Sequence, residues 1–226
     1  MGRNSNNPAS SGQPPAGQAK IENIIILAPN RIQGDLMENW LRHEFKIPNV
    51  VTTYTKAQAL SKLHEAPQSL FIFDIFSGNY AGINLAIKIK DQLPAVSIIS
   101  ISAYSHFIFP QLAHKFGILA YMPQSGGLQS LSTILKAIKD GHQPQSTIED
   151  KAYTQAQHQT IEFLQEFKPS TLQIWALTVQ GKTIKQTADL VSLSVPCIKT
   201  NRKTIREKLD IDDLDLIIEQ AKSFQN

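Results

Sequence analysis

Cysteine is nearly absent. Cys197 stands alone in 226 residues, so no intrachain disulfide can hold the fold, and a reducing, cytoplasmic setting is expected. Long apolar runs are absent as well. None approaches the ~18 residues that span a bilayer, so no membrane partner is expected. Residues 1–20, MGRNSNNPASSGQPPAGQAK, have no apolar centre and are not expected to act as a signal peptide. Their Asn, Ser, Pro and Gly predict a disordered tail, and Arg3 and Lys20 are too few cations for a DNA-searching arm. The six histidines (His43, His64, His106, His114, His142 and His158) show no metal-ligand spacing with acidic or Cys partners. There is no glycine-rich nucleotide loop and no Ser-His-Asp arrangement. No metal, no cofactor and no enzymatic activity are expected.

What is present divides into two parts. At 226 residues and 42% hydrophobic content the chain can build two small packed domains. Residues 21–141 alternate short apolar runs with amphipathic stretches. The runs Ile24–Leu27, Asn49–Tyr54, Leu70–Phe76, Ser97–Ser102 and Ile118–Met122 suit buried parallel strands. The stretches Arg31–Phe45, Lys56–Ala66, Ile83–Leu93, Phe107–Phe116 and Leu128–Lys139 suit helices. Five such units predict a doubly wound parallel α/β domain, with any ligand site at the carboxyl ends of its strands. Asp74, after FIF, falls in that crevice. A polar linker, 142–164, leads to an all-α unit over 165–226.

The second part holds the strongest signal, GKTIKQTADLVSLSVPCIKTNRKTIREKL at 181–209. Thr183 and Gln186 form a capping box at the start of a helix whose apolar residues are Ile184, Ala188 and Val191. Ser192–Ser194 makes a turn, Ser194 suits an N-cap, and Pro196 sits in the first turn of the next helix. At about 100° per residue, Ile198, Ile205 and Leu209 share one face of that helix, and Lys199, Arg202, Lys203 and Arg206 form a cationic flank. From Lys182 to Lys208 seven basic and two acidic residues leave +5, whereas the whole chain carries +3. Two short helices with a basic second helix are the layout of a helix-turn-helix DNA reader. Lys199, Thr200 and Lys203 project where base edges would lie, and Lys182, Thr183, Lys185, Arg202 and Arg206 where phosphates would. Cys197, in the first turn, reads as a small packing residue, with oxidant sensing as the alternative.

Phe167–Ile211 resembles the LuxR-type helix-turn-helix domain of NarL/FixJ response regulators, with Pro169, Gly181, Ala188, Ser194, Ile198, Lys199 and Leu209 at the family's positions. The resemblance implies a four-helix domain in which Lys199, Thr200 and Lys203 touch bases. Asn201, Arg202 and Ser192 depart from the common His, apolar residue and Gly. Residues 21–141 resemble the receiver domain of the same regulators. There Asp74 matches the phosphoacceptor, Gly82 the glycine opening the next helix, Ser102 the hydroxyl of the fourth strand and Tyr121 the switch aromatic. Ala28-Pro29 stands where the family places two Mg²⁺-holding acids, and Gln124 where it places a lysine. A pseudo-receiver is therefore expected, with Asp74 outside its usual role, left to supply dimerisation or to bind a protein or small molecule. The expected function is a dimeric transcriptional regulator of double-stranded DNA, independent of phosphorylation. Leu214, Ile217, Ile218 and Ala221 would pair two domains, or pack onto their own. A conventional phosphorylated regulator and a protein-binding adaptor are the alternatives.

Overall fold

The computed structural model describes residues 21–77, 81–103, 108–144 and 166–209. The first unit runs β1 (Asn23–Leu27), α1 (Arg31–Glu44), β2 (Asn49–Thr53), α2 (Lys56–Glu65), β3 (Leu70–Phe73), α3 (Ala81–Gln92), β4 (Ser97–Ser102), α4 (Ile108–Lys115), β5 (Ala120–Pro123) and α5 (Gly127–Lys139). The sheet is parallel throughout, in the order β2-β1-β3-β4-β5. Strand alternation sorts the core into two faces. Ile24, Ile26, Val50, Ile72 and Met122 point to the side closed by Leu41 of α1 and by Leu131 and Leu135 of α5. Ile25, Phe71, Phe73, Ile98 and Tyr121 point to the side closed by Leu63 of α2, Ile83 and Ile89 of α3 and Ala113 of α4.

The order reverses beside β1: the chain leaves β1 for β2 on one flank and returns to β3 on the other. At such a switch point the connections diverge and a crevice opens at the carboxyl ends of the strands. Asn30 caps α1 by accepting from the Gln33 amide at 2.9 Å, and Thr55 caps α2 by accepting from the Gln58 amide at 3.2 Å. Both caps sit at that rim.

The apolar run Leu70–Phe76 is only partly strand, because β3 stops at Phe73. The Asp74 carboxylate accepts from the Phe76 amide at 2.9 Å, and the Asp74 carbonyl accepts from the Ser77 amide at 3.2 Å. This Asx-type turn outcompetes the ladder. Ile75 and Phe76 are still buried, but from a turn. Gly82 follows close behind. A Cβ there would lie 2.3 Å from the Ile75 carbonyl oxygen, so the turn and α3 can meet only through glycine. The last strand begins at Ala120 rather than Ile118.

The second unit contains α6 (Pro169–Val179), α7 (Ile184–Val191) and α8 (Val195–Leu209). Leu172, Trp175, Ala188, Ile198 and Ile205 form its core. The units touch where Lys115 Nζ donates to the Phe167 carbonyl at 2.5 Å and where the Gln173 amide donates to Asn84 Oδ1 at 3.3 Å. The expected fourth helix, with Leu214, Ile217, Ile218 and Ala221, falls outside the described residues, as do residues 1–20 and most of the expected linker. Among the described residues no helix is long and apolar enough to cross a membrane.

Candidate nucleic-acid interface and the crevice of the sheet

α7 begins with a complete capping box. The Thr183 hydroxyl accepts from the Gln186 amide at 3.2 Å, and Gln186 Oε1 accepts from the Thr183 amide at 2.9 Å. The helix ends on Ser192, whose φ of 56° lies in the left-handed region. Glycine usually ends helices this way because it has no Cβ to crowd the following carbonyl. Here a serine bears that strain to swing the chain into α8. Ser194 receives the Cys197 amide at 3.4 Å, a long cap.

In α8, Ile198 and Ile205 are buried, which fixes the rotation of the helix. Lys199, Thr200, Lys203 and Arg206 are thereby exposed, as are Lys182, Thr183 and Lys185 at the start of α7. Lys203 has only a loose, solvent-screened pairing with Glu207 at 3.7 Å. The Thr200 hydroxyl donates back to the Pro196 carbonyl at 3.1 Å, so its methyl and its oxygen lone pairs remain for a partner. The exposed cations Lys199, Lys203 and Arg206 share the surface of α8, the kind of helix that can neutralise phosphates in a groove.

Arg202 does not lie on that surface. Its guanidinium turns back to α7, where Nη2 donates to the Lys182 carbonyl at 2.6 Å and to Thr187 Oγ1 at 3.0 Å. Thr187 is itself buried and donates to the Thr183 carbonyl at 2.9 Å. Burial holds the Arg202 pKa below its ordinary value. This arginine ties the two helices together. Asn201 is also turned inward: its Oδ1 accepts from the Thr171 hydroxyl at 3.1 Å and its amide donates to the Cys197 carbonyl at 2.9 Å. Both departures from the family pattern thus act within the domain.

The second site is the crevice over β1, β3 and β5. Asp74 lies at its floor, one residue past β3. Burial pushes the Asp74 carboxyl up from the usual carboxylate range, against the opposing pull of Ser102 and of the Phe76 and Ser77 amides. Ser102 lies close enough to exert that pull, yet its buried hydroxyl has no partner at hydrogen-bonding distance. Tyr121 is fully buried in the core, its ring edge-on to Phe76 at 6.0 Å. These three residues are neighbours, but the rest of a phosphorylation site is not assembled around them. Among the described residues lining the crevice, Asp74 is the one carboxylate; Ala28, Pro29 and Met37 face it with hydrocarbon, and Gln124 with a neutral amide. Mg²⁺ demands hard oxygen ligands and seldom dispenses with carboxylates, so this lining does not fit the ion.

No family model matches the chain. The response regulator protein VraR of Staphylococcus saprophyticus subsp. saprophyticus is 21% identical over 158 residues, which is 69% of this chain and 74% of VraR. VraR of Staphylococcus epidermidis is 20% identical over the same shares. Among solved structures, a complex of the two-component response regulator RcsB with DNA matches 92% of this chain and 100% of that chain with a TM-score of 0.64 at 17% identity. RcsB from Salmonella enterica serovar Typhimurium, bound to promoter rprA in the presence of phosphomimetic BeF3-, matches 90% of this chain and 99% of that chain with a TM-score of 0.62 at 18% identity. The chain is thus similar to the response regulators and shares their fold, a receiver-type α/β unit followed by a helix-turn-helix unit.

Proposed function

We propose that this protein is a transcriptional regulator that binds double-stranded DNA sequence-specifically as a homodimer, with α8 in the major groove. The observation that carries the reading is the surface made by Lys199, Thr200, Lys203 and Arg206, held outward by buried Ile198 and Ile205 and flanked by Lys182 and Lys185. The DNA-bound RcsB structures, one of them described as two RcsB dimers on two parallel DNAs with a TM-score of 0.51, support it. A single reader covers only a few base pairs, so two recognition helices about one DNA turn apart are required for a specific site. Control runs independently of Asp74 phosphorylation in this reading, because the described lining of the crevice offers no second carboxylate for a metal and places the neutral Gln124, not a lysine, after β5.

The test uses the full chain. Genome-wide binding in the native host yields the site, and that fragment is titrated at several salt concentrations. Two chains per fragment and a steep fall of affinity with salt are expected. Binding indifferent to both salt and sequence would leave the chain a protein-binding adaptor. Acetyl phosphate with Mg²⁺ should leave affinity unchanged; a tenfold tightening lost in Asp74→Asn would restore an ordinary phospho-switch.

A further inference from the structure

The crevice has a volume of about 640 Å³, within the range of small-molecule sites and much larger than a metal or phosphoryl group would fill. Much of its wall is hydrocarbon, with Met37 from α1, Ala28 after β1, Met122 from β5 and Leu131 from α5, while Gln33, Tyr54, Lys56, Ser77 and Gln124 add polar groups. Two leucines stand at its rim with much of their surface in water, Leu36 at 65% and Leu128 at 45% exposure. Apolar side chains gathered around a concavity and left wet mark a binding surface more often than a resting one. One carboxyl, Asp74, lies at the bottom of these walls.

The shape selects the size of the occupant. Strand ends and the helices α1 and α5 line the space, and its volume is that of a small-molecule site. The lining selects the chemistry. Most of it is apolar, and a highly polar molecule would leave its own groups unpaired against Met37, Met122 and Leu131. A hydrocarbon body with one hydrogen-bond donor satisfies both walls and floor.

We propose that this crevice binds a small, mainly hydrocarbon molecule carrying one hydroxyl or amino group, which donates to the Asp74 carboxyl. The raised Asp74 pKa fits such an occupant. Burial takes water from the carboxyl, which keeps the Phe76 amide as a donor at 2.9 Å, and a ligand hydroxyl or amine supplies a further donor in place of the lost water. The inference goes beyond DNA reading and does not rest on it, since the experiment contains no DNA.

The probe pair is 1-aminoanthracene and anthracene, titrated by fluorescence into the full chain. One equivalent should saturate, with the amine bound several-fold more tightly than the plain hydrocarbon. Asp74→Leu should retain anthracene and abolish the preference. Leu36→Asp with Leu128→Asp, both at exposed positions and so compatible with folding, should weaken either probe at least tenfold. Unsaturable binding by the wild type, unchanged affinity in the rim variant, or an unchanged preference in Asp74→Leu would each overturn the assignment. So would a concentration-dependent dimer of the probe-free wild type that the rim variant dissociates, because the crevice would then belong to a second copy of the chain.

Discussion

Arg202→Ala should damage the fold of the second unit more than its grip on DNA. The guanidinium makes two charge-assisted hydrogen bonds, to the Lys182 carbonyl at 2.6 Å and to Thr187 Oγ1 at 3.0 Å. Each such bond contributes roughly 1.5–3 kcal/mol to stability when the donor is charged. Two opposing terms reduce the total. The group is partly desolvated, and its buried Nε has no partner. A net loss of about 2 kcal/mol follows. Trp175, buried in α6, reports the unfolding in a Trp40→Phe background, which leaves one tryptophan of the two. With a urea dependence of about 1–2 kcal/mol/M for so small a unit, the midpoint should drop by roughly 1–2 M. Operator affinity, measured where the variant is folded, should fall far less than in Lys199→Ala, which in turn should keep the wild-type midpoint. An Arg202→Ala variant with an unchanged midpoint and the same affinity loss as Lys199→Ala would refute the reasoning and put this arginine back against the phosphates.

Lys199→Ala and Lys203→Ala should each cost about 1–3 kcal/mol at the preferred site and relax selectivity, read by titration of labelled operator; wild-type affinity in both would remove them from the base-reading set. Loss of Lys182 or Lys185 should weaken all duplexes alike and flatten the salt slope by roughly one unit each, whereas altered sequence preference with an intact slope would contradict a phosphate role. Ser192→Gly should stabilise the unit by about 0.5–1 kcal/mol, since the relief of the left-handed backbone exceeds the extra entropy of a glycine in the unfolded chain; a lowered urea midpoint would argue against it. For Asp74 the folded pKa lies above the ordinary 3.8, so the folded state holds the proton more tightly and the wild type loses stability as pH rises through that window. Asp74→Asn, which carries no such charge, should be the more stable protein at neutral pH, with the advantage shrinking as pH falls toward 3.8; an advantage independent of pH would show that desolvation is not the cause.

The fold was legible wherever one local rule acted alone. Thr183 and Gln186 state a helix start in four residues, and the capping box stands as read. The five apolar runs mark the five strands among the described residues, because most positions of a parallel sheet are covered by helices on both faces. That same greasiness hid the end of β3. Ile75 and Phe76 are as apolar as a strand requires, and only the Asp74 side chain, bonded two residues ahead, shows that the chain has already turned. Arg202 shows the opposite failure. Its helical angle groups it with Lys199 and Lys203, but a long side chain is not bound to the direction of its Cβ, and Thr187 with the Lys182 carbonyl draws it inward. Its departure from an apolar family position was the available signal. The place of the crevice was legible from the strand-helix alternation, but its lining was not, since Leu36, Met37, Met122 and Leu128 are distant in sequence and converge only once the sheet closes.

The burial of α6 bears on how this protein can be taken apart. Residues Ile174 to Val179 are all buried, and six consecutive residues exceed one full helical turn, so no side of that stretch faces water. The receiver-type unit reaches the same helix through Asn84 and its neighbour Phe167 through Lys115. The second unit therefore meets the first through its own central helix. A chimera carrying that unit on a foreign receiver would lose the bonds with Lys115 and Asn84, so the seam would have to be rebuilt. Recombination that exchanged one unit alone would face the same obstacle, which ties the ancestry of this reader to the particular sheet it leans on.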